Sequence, residues 1–232
     1  MPLLGTAAML LSFDVLPQAT AEHDHWHTHE HLPERLSIPG FLRGTRWVAL
    51  RGRPRYLVLY EVAGLETLTS PPYLERLNHP SPWTAQIMSR YRDMRRGFCA
   101  VSGSFGLGLG YVAALLRFKP AEGAAPALRH WLTREQLPGL PERPGLGGAH
   151  LLEGAATPAM TTEQRIRGAD AGIDWALLIS GYELAALADP APLGFAPPQL
   201  EAHGACDVEH ALYRIDYTLS AREVDARGAC RC

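Results

Sequence analysis

Residues His25 to Gly40 read HWHTHEHLPERLSIPG, and residues His130 to Gly145 read HWLTREQLPGLPERPG. The two segments align without a gap at an offset of 105, and eight of their sixteen positions are identical. These are His25/His130, Trp26/Trp131, Thr28/Thr133, Glu30/Glu135, Leu32/Leu137, Pro33/Pro138, Pro39/Pro144 and Gly40/Gly145. An internal repeat constrains the fold more than any local propensity does, because the structure built by the first copy must be buildable again by the second. Where the copies agree, a shared packing need is the first explanation. Where they differ, one copy is free for chemistry, and the differences fall on histidines: His27, His29 and His31 give way to Leu132, Arg134 and Gln136.

The repeat extends outward. At the same offset Ala8 to Phe13 (AMLLSF) matches Ala113 to Phe118 (AALLRF), each copy a short strand of period two. Each strand leads into a His-Trp helix that cannot run past its Leu-Pro and Pro-Gly punctuation. Phe41 to Arg51 and Tyr56 to Val62 follow as a hairpin, then helical stretches over 65–78 and 82–96, the latter with Trp83, Ile87, Met88 and Tyr91 at helical spacing. A strand over 98–105 closes the half. The order β-α-β-β-α-β is the ferredoxin-like unit. The second half repeats it with strands over 111–118, 146–153, 175–181 and 211–220, a helix over 126–137 and a weaker helical region that contains a proline-rich loop, 188–198. Residues 1–106 and 107–232 thus form two repeats, the second with a degenerate site. Tyr56 corresponds to Trp175 at an offset of 119, so the second hairpin is longer by 14 residues within 154–174. That segment is either a flap over something or a surface excursion. The glycines at 103, 106, 108 and 110 precede a strand and not a helix, which rules out a dinucleotide loop and suggests a link between the halves.

A net charge of −2 and a pI near 6.5 give no basic footprint for nucleic acid. Arg90, Arg92, Arg95 and Arg96 read as a solvated helix face. The apolar start of the chain reads as a buried strand and not as a signal peptide, and no run is long enough to span a membrane. Cys99, Cys206, Cys230 and Cys232 are too few and scattered for a disulfide framework. The terminal Cys-Arg-Cys is a metal or redox motif or simply a frayed tail, and Cys99 reads as core. The expected location is cytoplasmic.

A four-stranded sheet with helices on one face has a second apolar face to bury, and two such sheets packed together solve the problem. The elements Trp26, His31-Leu32-Pro33 and Pro39-Gly40 resemble the first-helix motif of the EthD-like proteins, within the dimeric α/β barrel superfamily. The expected fold class is α+β: two ferredoxin-like βαββαβ repeats packed as an intramolecular dimeric α/β barrel, present as a monomeric pseudo-dimer or as a homodimer. The resemblance implies a small-molecule enzyme without an organic cofactor, of isomerase, cyclase or cofactor-free oxygenase type, acting on an aromatic or catabolic intermediate; the alternative is a non-catalytic protein that binds a hydrophobic ligand or a metal through the histidine-rich helix. A haem-dependent variant of the superfamily exists, but no residue here singles out an axial ligand.

Histidine suits such chemistry because imidazole titrates near neutrality. His31 stands at the motif position, and Gln136 in the other copy keeps hydrogen bonding but cannot titrate. His31 is therefore the first choice of base, against a purely structural role near the helix end, and His27, one turn away, is the second. His27 or Arg46 would stabilise oxyanion charge. On a helix the pairs 23/27, 25/29 and 27/31 lie at i,i+4, so His27 and His31 are also the candidates for a divalent metal, although the HExxH pattern fails at Pro33. If Met9, Leu11 and Phe13 face the helices, Ser12 and Asp14 point to the sheet's other face, with Arg117 as the counterpart of Ser12. Ser12, Asp14, Arg43, Tyr60 and Arg117 are the expected substrate-binding residues of an apolar small-molecule cavity. For Arg43 and Arg46 the alternative is a solvated edge. His25, Trp26 and Glu30 recur in both copies and read as scaffold, with Glu30 anchoring a backbone or arginine contact.

Overall fold

A computed structural model describes residues 3–156 and 160–229. Eight strands close into one barrel in the order β1-β3-β2-β8-β5-β7-β6-β4, all pairs antiparallel. The first half supplies β1 (Ala7–Val15), β2 (Phe41–Arg51), β3 (Tyr56–Val62) and β4 (Tyr91–Gly106). The second supplies β5 (Val112–Pro120), β6 (Leu146–Ala155), β7 (Trp175–Gly181) and β8 (Ala205–Ser220). The halves are joined along two seams, β2 with β8 and β4 with β6. Each half has the βαββαβ order expected from the repeat.

Strand composition explains the layering. β3 (YLVLYEV) is buried at every residue, as a strand covered on both faces must be. Its Leu57 and Leu59 point into the barrel beside Leu10, Trp47, Leu115, Leu178 and Tyr213, and these side chains fill the interior. Its Tyr56, Val58 and Tyr60 point outward to the helices with Met9 and Phe13. The parity expected for β1 is therefore the observed one.

The longest departure from the sequence reading lies at 82–96. The helix ends at Met88, and residues from Tyr91 onward form β4, which pairs Tyr91 with Val15 and Arg92 with Asp14. Pairing with β1 outweighs the helical spacing of the apolar residues. Asp93 adopts φ 53°, and Asp93 with Met94 forms a bulge opposite Phe13. β8 repeats this device, with Asp207 at φ 54° and a register shift opposite Phe118. β8 accordingly begins six residues earlier than expected.

Helices cover the outer faces. In the first half they are α1 (Thr20–Trp26), α2 (Leu32–Leu36), α3 (Pro71–Asn78) and α4 (Pro82–Met88), the last capped by Ser81 Oγ, which accepts from Thr84 N at 3.0 Å. In the second half α5 (Ala125–His130) takes the place of α1. The long β6–β7 connection contains α6 (Thr162–Arg167), opened by a capping box between Thr161 and Gln164. The short helices α7 (Leu184–Leu187) and α8 (Pro197–Ala202) follow, and α9 (Ala221–Ala229) ends the described chain. Cys99 is buried in the barrel core, and Cys230 and Cys232 lie outside the described residues. Among the described residues no helix is long and apolar enough to cross a membrane.

Candidate active site

Between α1 and α2 the helix widens into a π turn, His27–His31, in which Leu32 N–H donates to the His27 carbonyl five residues back. The second copy widens at the matching place, Trp131–Gln136, where Leu137 N–H donates to Leu132 O at 2.9 Å. In each copy the next residue is proline, Pro33 or Pro138. Proline has no N–H and its ring crowds the carbonyl four residues back, so a wider turn relieves the clash. The Leu-Pro element of the repeat is thus the local cause of the π turn.

The histidines separate by face. His23, His27 and His31 are buried, with successive ring centroids 5.5 Å apart, and Arg35 continues the same row. His25 and His29 are exposed, with rings 4.4 Å apart. Trp26 is the pin between the faces. Its Nε1 donates to Glu30 Oε1 at 3.2 Å, and that oxygen also accepts from Ser81 Oγ at 2.5 Å and Thr84 Oγ1 at 3.0 Å. Glu30 therefore ties α1 to α4 through side chains and not through the backbone or arginine contact expected for it. In the second copy Glu135 is exposed and Trp131 stacks on His203.

The buried row looks onto a cavity between the outer face of the first half's sheet and its helices. Met9, Leu11 and Phe13 of β1 and Val58 and Tyr60 of β3 form the floor, with His27, His31 and Arg35 along one wall. Tyr73, Leu77 and Met88 come from α3 and α4, and Tyr91, Met94 and Arg96 from β4. Glu163 and Arg167 of α6 close it, so the inserted segment of the second half is a flap over the first. The cavity is small, about 20 Å³, room for about one water.

Charged pairs hold the flap down. Arg35 Nη2 donates to Glu163 Oε1, both side chains being almost fully buried. Arg167 makes two bonds to Asp170, at 2.9 and 2.8 Å. Arg96 Nε lies 3.0 Å from Asp170 Oδ2 but off the line of its N–H, and neither Nε nor Nη2 has a hydrogen-bond partner in the protein. Backbone bonds join Ala171 N to Met94 O and Arg96 N to Ala171 O, both at 2.9 Å.

Burial holds His27 and His31 well below the usual imidazole range, reinforced at His27 by His23 and Arg46 and at His31 by Arg35. Both rings are therefore neutral at pH 7, and the Nδ1 of each is buried without a protein partner. The Tyr60 hydroxyl is likewise buried and unpartnered, and burial raises its pKa. A neutral imidazole in an apolar cavity can accept a proton, and a phenol beside it can donate a hydrogen bond to the oxygen where charge develops.

Of the residues expected at the site, the structure brings His27, His31 and Tyr60 together. The others are elsewhere, because the cavity lies on the helix side of the sheet and the barrel interior is packed. Ser12 is buried in the interior and accepts from Arg117 Nη1 at 2.8 Å, while Arg117 Nη2 reaches Glu209 at 2.6 Å. Asp14 accepts from Arg55 N at 2.7 Å. Arg43 grips Glu61 through Nε at 2.6 Å and Nη2 at 2.9 Å. Arg46 is buried behind the helix, where its Nη2 contacts Asp216 at 2.7 Å and Thr28 Oγ1 at 3.1 Å, so it does not face His27 or His31 across the cavity.

For metal, His27 and His31 form a pair, and among the described residues no three His, Cys, Asp or Glu side chains converge as a metal-holding group.

The sequence reading missed Arg35, Tyr91, Arg96, Glu163 and Arg167. Arg35 was accessible, since it extends the 23/27/31 row by four residues. Arg96 was hidden by the helical reading of 82–96; on β4 it is buried in the cavity wall instead of solvated. Glu163 and Arg167 carry no local signal beyond their i,i+4 spacing.

No protein-family model matches the chain, and no curated protein sequence does. Solved structures do. An anthrone oxidase-like protein superposes with a TM-score of 0.65 at 14% identity, over 95% of this chain and 96% of that one. Two putative monooxygenases follow. One, from Fusobacterium nucleatum, has a TM-score of 0.57 at 8% identity, over 94% and 95% of the two chains. The other, from Lactobacillus acidophilus, has 0.55 at 10%, over 93% and 96%. These likenesses span essentially the full length of both partners and agree with the closed eight-stranded barrel. The chain has the dimeric α/β barrel fold, with both ferredoxin-like units in one polypeptide.

Proposed function

We propose that this protein is a small-molecule enzyme that works without an organic cofactor, moving a proton of an aromatic substrate within the cavity of the first half. The observation that carries the reading is the meeting of three buried, unpartnered polar groups, His27 Nδ1, His31 Nδ1 and the Tyr60 hydroxyl, in a space walled by aromatic and methionine side chains. Native proteins pair nearly all buried polar groups, so three unpaired ones facing one space favour a polar ligand there. His31 serves as the base, and Tyr60, His27 and the Arg96 Nη2 group stabilise the oxyanion left behind. Tyr60 and Arg96 take the part that the sequence reading gave to Arg46. The full-length likeness to an anthrone oxidase-like protein supports an enolisable aromatic as the first substrate to try.

The substrate enters by displacement of α6 or by repacking of Met9, Met88 and Met94, whose unbranched side chains adapt readily. The test uses 1,8-dihydroxyanthrone in aerated buffer. Base removes a methylene proton, dioxygen adds to the resulting carbanion, and loss of water leaves the quinone carbonyl, so that one dioxygen is consumed and one water formed per turnover. Oxygen uptake matched by quinone absorbance, and lost in His31→Gln, supports the reading. Saturable binding without turnover of this or related phenols favours instead a non-catalytic carrier of hydrophobic ligands, and stoichiometric metal in untagged protein that disappears from the His27→Gln/His31→Gln variant favours a metal-binding protein.

A further inference from the structure

Behind the cavity lies a chain of hydrogen bonds that the reading above leaves unused. Tyr91 lines the cavity and its hydroxyl is 3.3 Å from His23 Nε2. The opposite nitrogen, His23 Nδ1, is 3.0 Å from Asp24 Oδ1. Tyr91 and His23 are buried, whereas the Asp24 side chain retains 33% of its exposure. The sequence therefore runs from the cavity wall to solvent through three side chains.

The orientation of each member is fixed. Phe13 stacks on the Tyr91 ring at 4.5 Å and meets His23 edge-on at 5.5 Å. Tyr56 O–H donates to the same Asp24 oxygen at 2.7 Å, and Arg46 Nη1 donates to the Asp24 carbonyl at 3.3 Å. A carboxylate accepting from Nδ1–H leaves the lone pair on Nε2, the tautomer that can accept from Tyr91. The charged and titratable groups around His23 are Asp24, Arg46, Asp216, Tyr56, Tyr91 and His27.

We propose that Tyr91, His23 and Asp24 form a proton relay, with the Tyr91 oxygen as its cavity end and Asp24 as its solvent end. The relay rests on the catalytic reading of the same cavity. A substrate O–H gives its proton to the Tyr91 oxygen as the Tyr91 proton passes to His23 Nε2, while the C–H proton is left to His31. The electron pair of the broken bond stays on the substrate as phenolate or enolate. The resulting imidazolium faces the Asp24 carboxylate, which hands its Nδ1 proton on to water, and reversal returns a proton to the product. Tyr91 is the group that touches substrate, while His23 and Asp24 act through it.

The relay is tested first without turnover. In ¹⁵N-labelled full-length protein at pH 7.5, with His23 assigned by its loss in His23→Gln, the His23 ring is expected as the Nδ1–H tautomer. Tyr91→Phe should shift its Nε2 resonance, and Asp24→Asn should invert the tautomer. A proton found on Nε2 in the native chain, or an Nε2 resonance unmoved by Tyr91→Phe, overturns the relay whatever the enzyme does. The second arm uses 1,8-dihydroxyanthrone. Tyr91→Phe and Asp24→Asn should each lower kcat by about tenfold or more, with KM changed by less than about threefold. Parental kcat in both variants sinks the relay and spares the enzyme reading. Failure of the native protein to turn over the anthrone counts against the enzyme reading, and the tautomer measurement then decides the relay alone.

Discussion

Arg35 of the histidine helix and Glu163 of the flap are ion-paired with both side chains buried, across 128 residues of sequence and from opposite halves of the chain. Burial alone would favour the neutral form of Arg35, but Glu163, Tyr73, Glu34 and Tyr60 together outweigh it and keep the guanidinium charged. This pair makes the lid of the cavity an electrostatic one, and the cost of lifting it is the separation of two desolvated charges.

Glu163→Gln should therefore be costly. Removing one partner of a buried pair typically loses about 3–5 kcal/mol, and urea unfolding at pH 7.5 is expected to fall in that range. The double variant Arg35→Met/Glu163→Leu should recover most of the loss, because it removes both desolvated charges. A Glu163→Gln cost below about 1 kcal/mol would mean that the flap is not clamped in solution.

Stability should fall on the acid side of pH 6.5. His23, His27 and His31 are held below that ordinary value by burial, and His150 is pushed down to about 4 by burial and then by Arg43. Between the folded and unfolded pKa values the unfolded chain binds protons that the folded chain refuses. The stability is thus complete above about pH 6.5 and is lost as pH drops toward the folded values, each histidine contributing about 1.4 kcal/mol per pH unit in that window. Denaturation midpoints measured from pH 8 to 5 should show a plateau and then a decline, shallower in His27→Asn. A flat profile would contradict the buried neutral row.

His31→Gln copies the residue that the second half carries at this position. It keeps hydrogen bonding but removes the base, and kcat for a substrate of the anthrone type is expected to fall by about 10²–10⁴ while the fold persists. Installing the reverse changes, Leu132→His and Gln136→His, should yield no activity in that background, since the cavity is lined by first-half residues and α6, and neither Leu132 nor Gln136 borders it. Activity restored by the graft would disprove the assignment to the first half.

Gly44 of β2 leaves room for the site's framework. A β-carbon there would lie 2.4 Å from Leu32 Cδ2 and 3.1 Å from Tyr60 Cε1. Gly44→Ala should cost about 1–3 kcal/mol and shift Tyr60, which near-ultraviolet circular dichroism and unfolding would report together. An alanine variant as stable as the parent would mean that Leu32 yields freely.

The barrel was legible because the repeat forces each half to make the same unit, and because strands such as 56–62 are apolar on both faces. The row 23/27/31 was legible from spacing alone. The side of the sheet that holds the cavity was not. Parity correctly sent Ser12 inward and Met9 outward, but nothing local says that Trp47, Leu57 and Tyr213 fill the interior while the outer layer leaves a gap. Arg96 was misread because Trp83 to Tyr91 keeps helical spacing across a real boundary, and only the pairing of Tyr91 with Val15 reveals it. Glu163 depends on contacts 128 residues away, beyond any window of sequence.

The flap also bears on why the two units share a backbone. A pair of identical chains is bound by its symmetry: any lengthened hairpin appears twice, and each site acquires the same cover. Here the long β6–β7 connection exists once and crosses to the opposite unit. One covalent strand thus permits a division of labour that a twofold axis forbids, with one unit furnishing the chamber and the other its door.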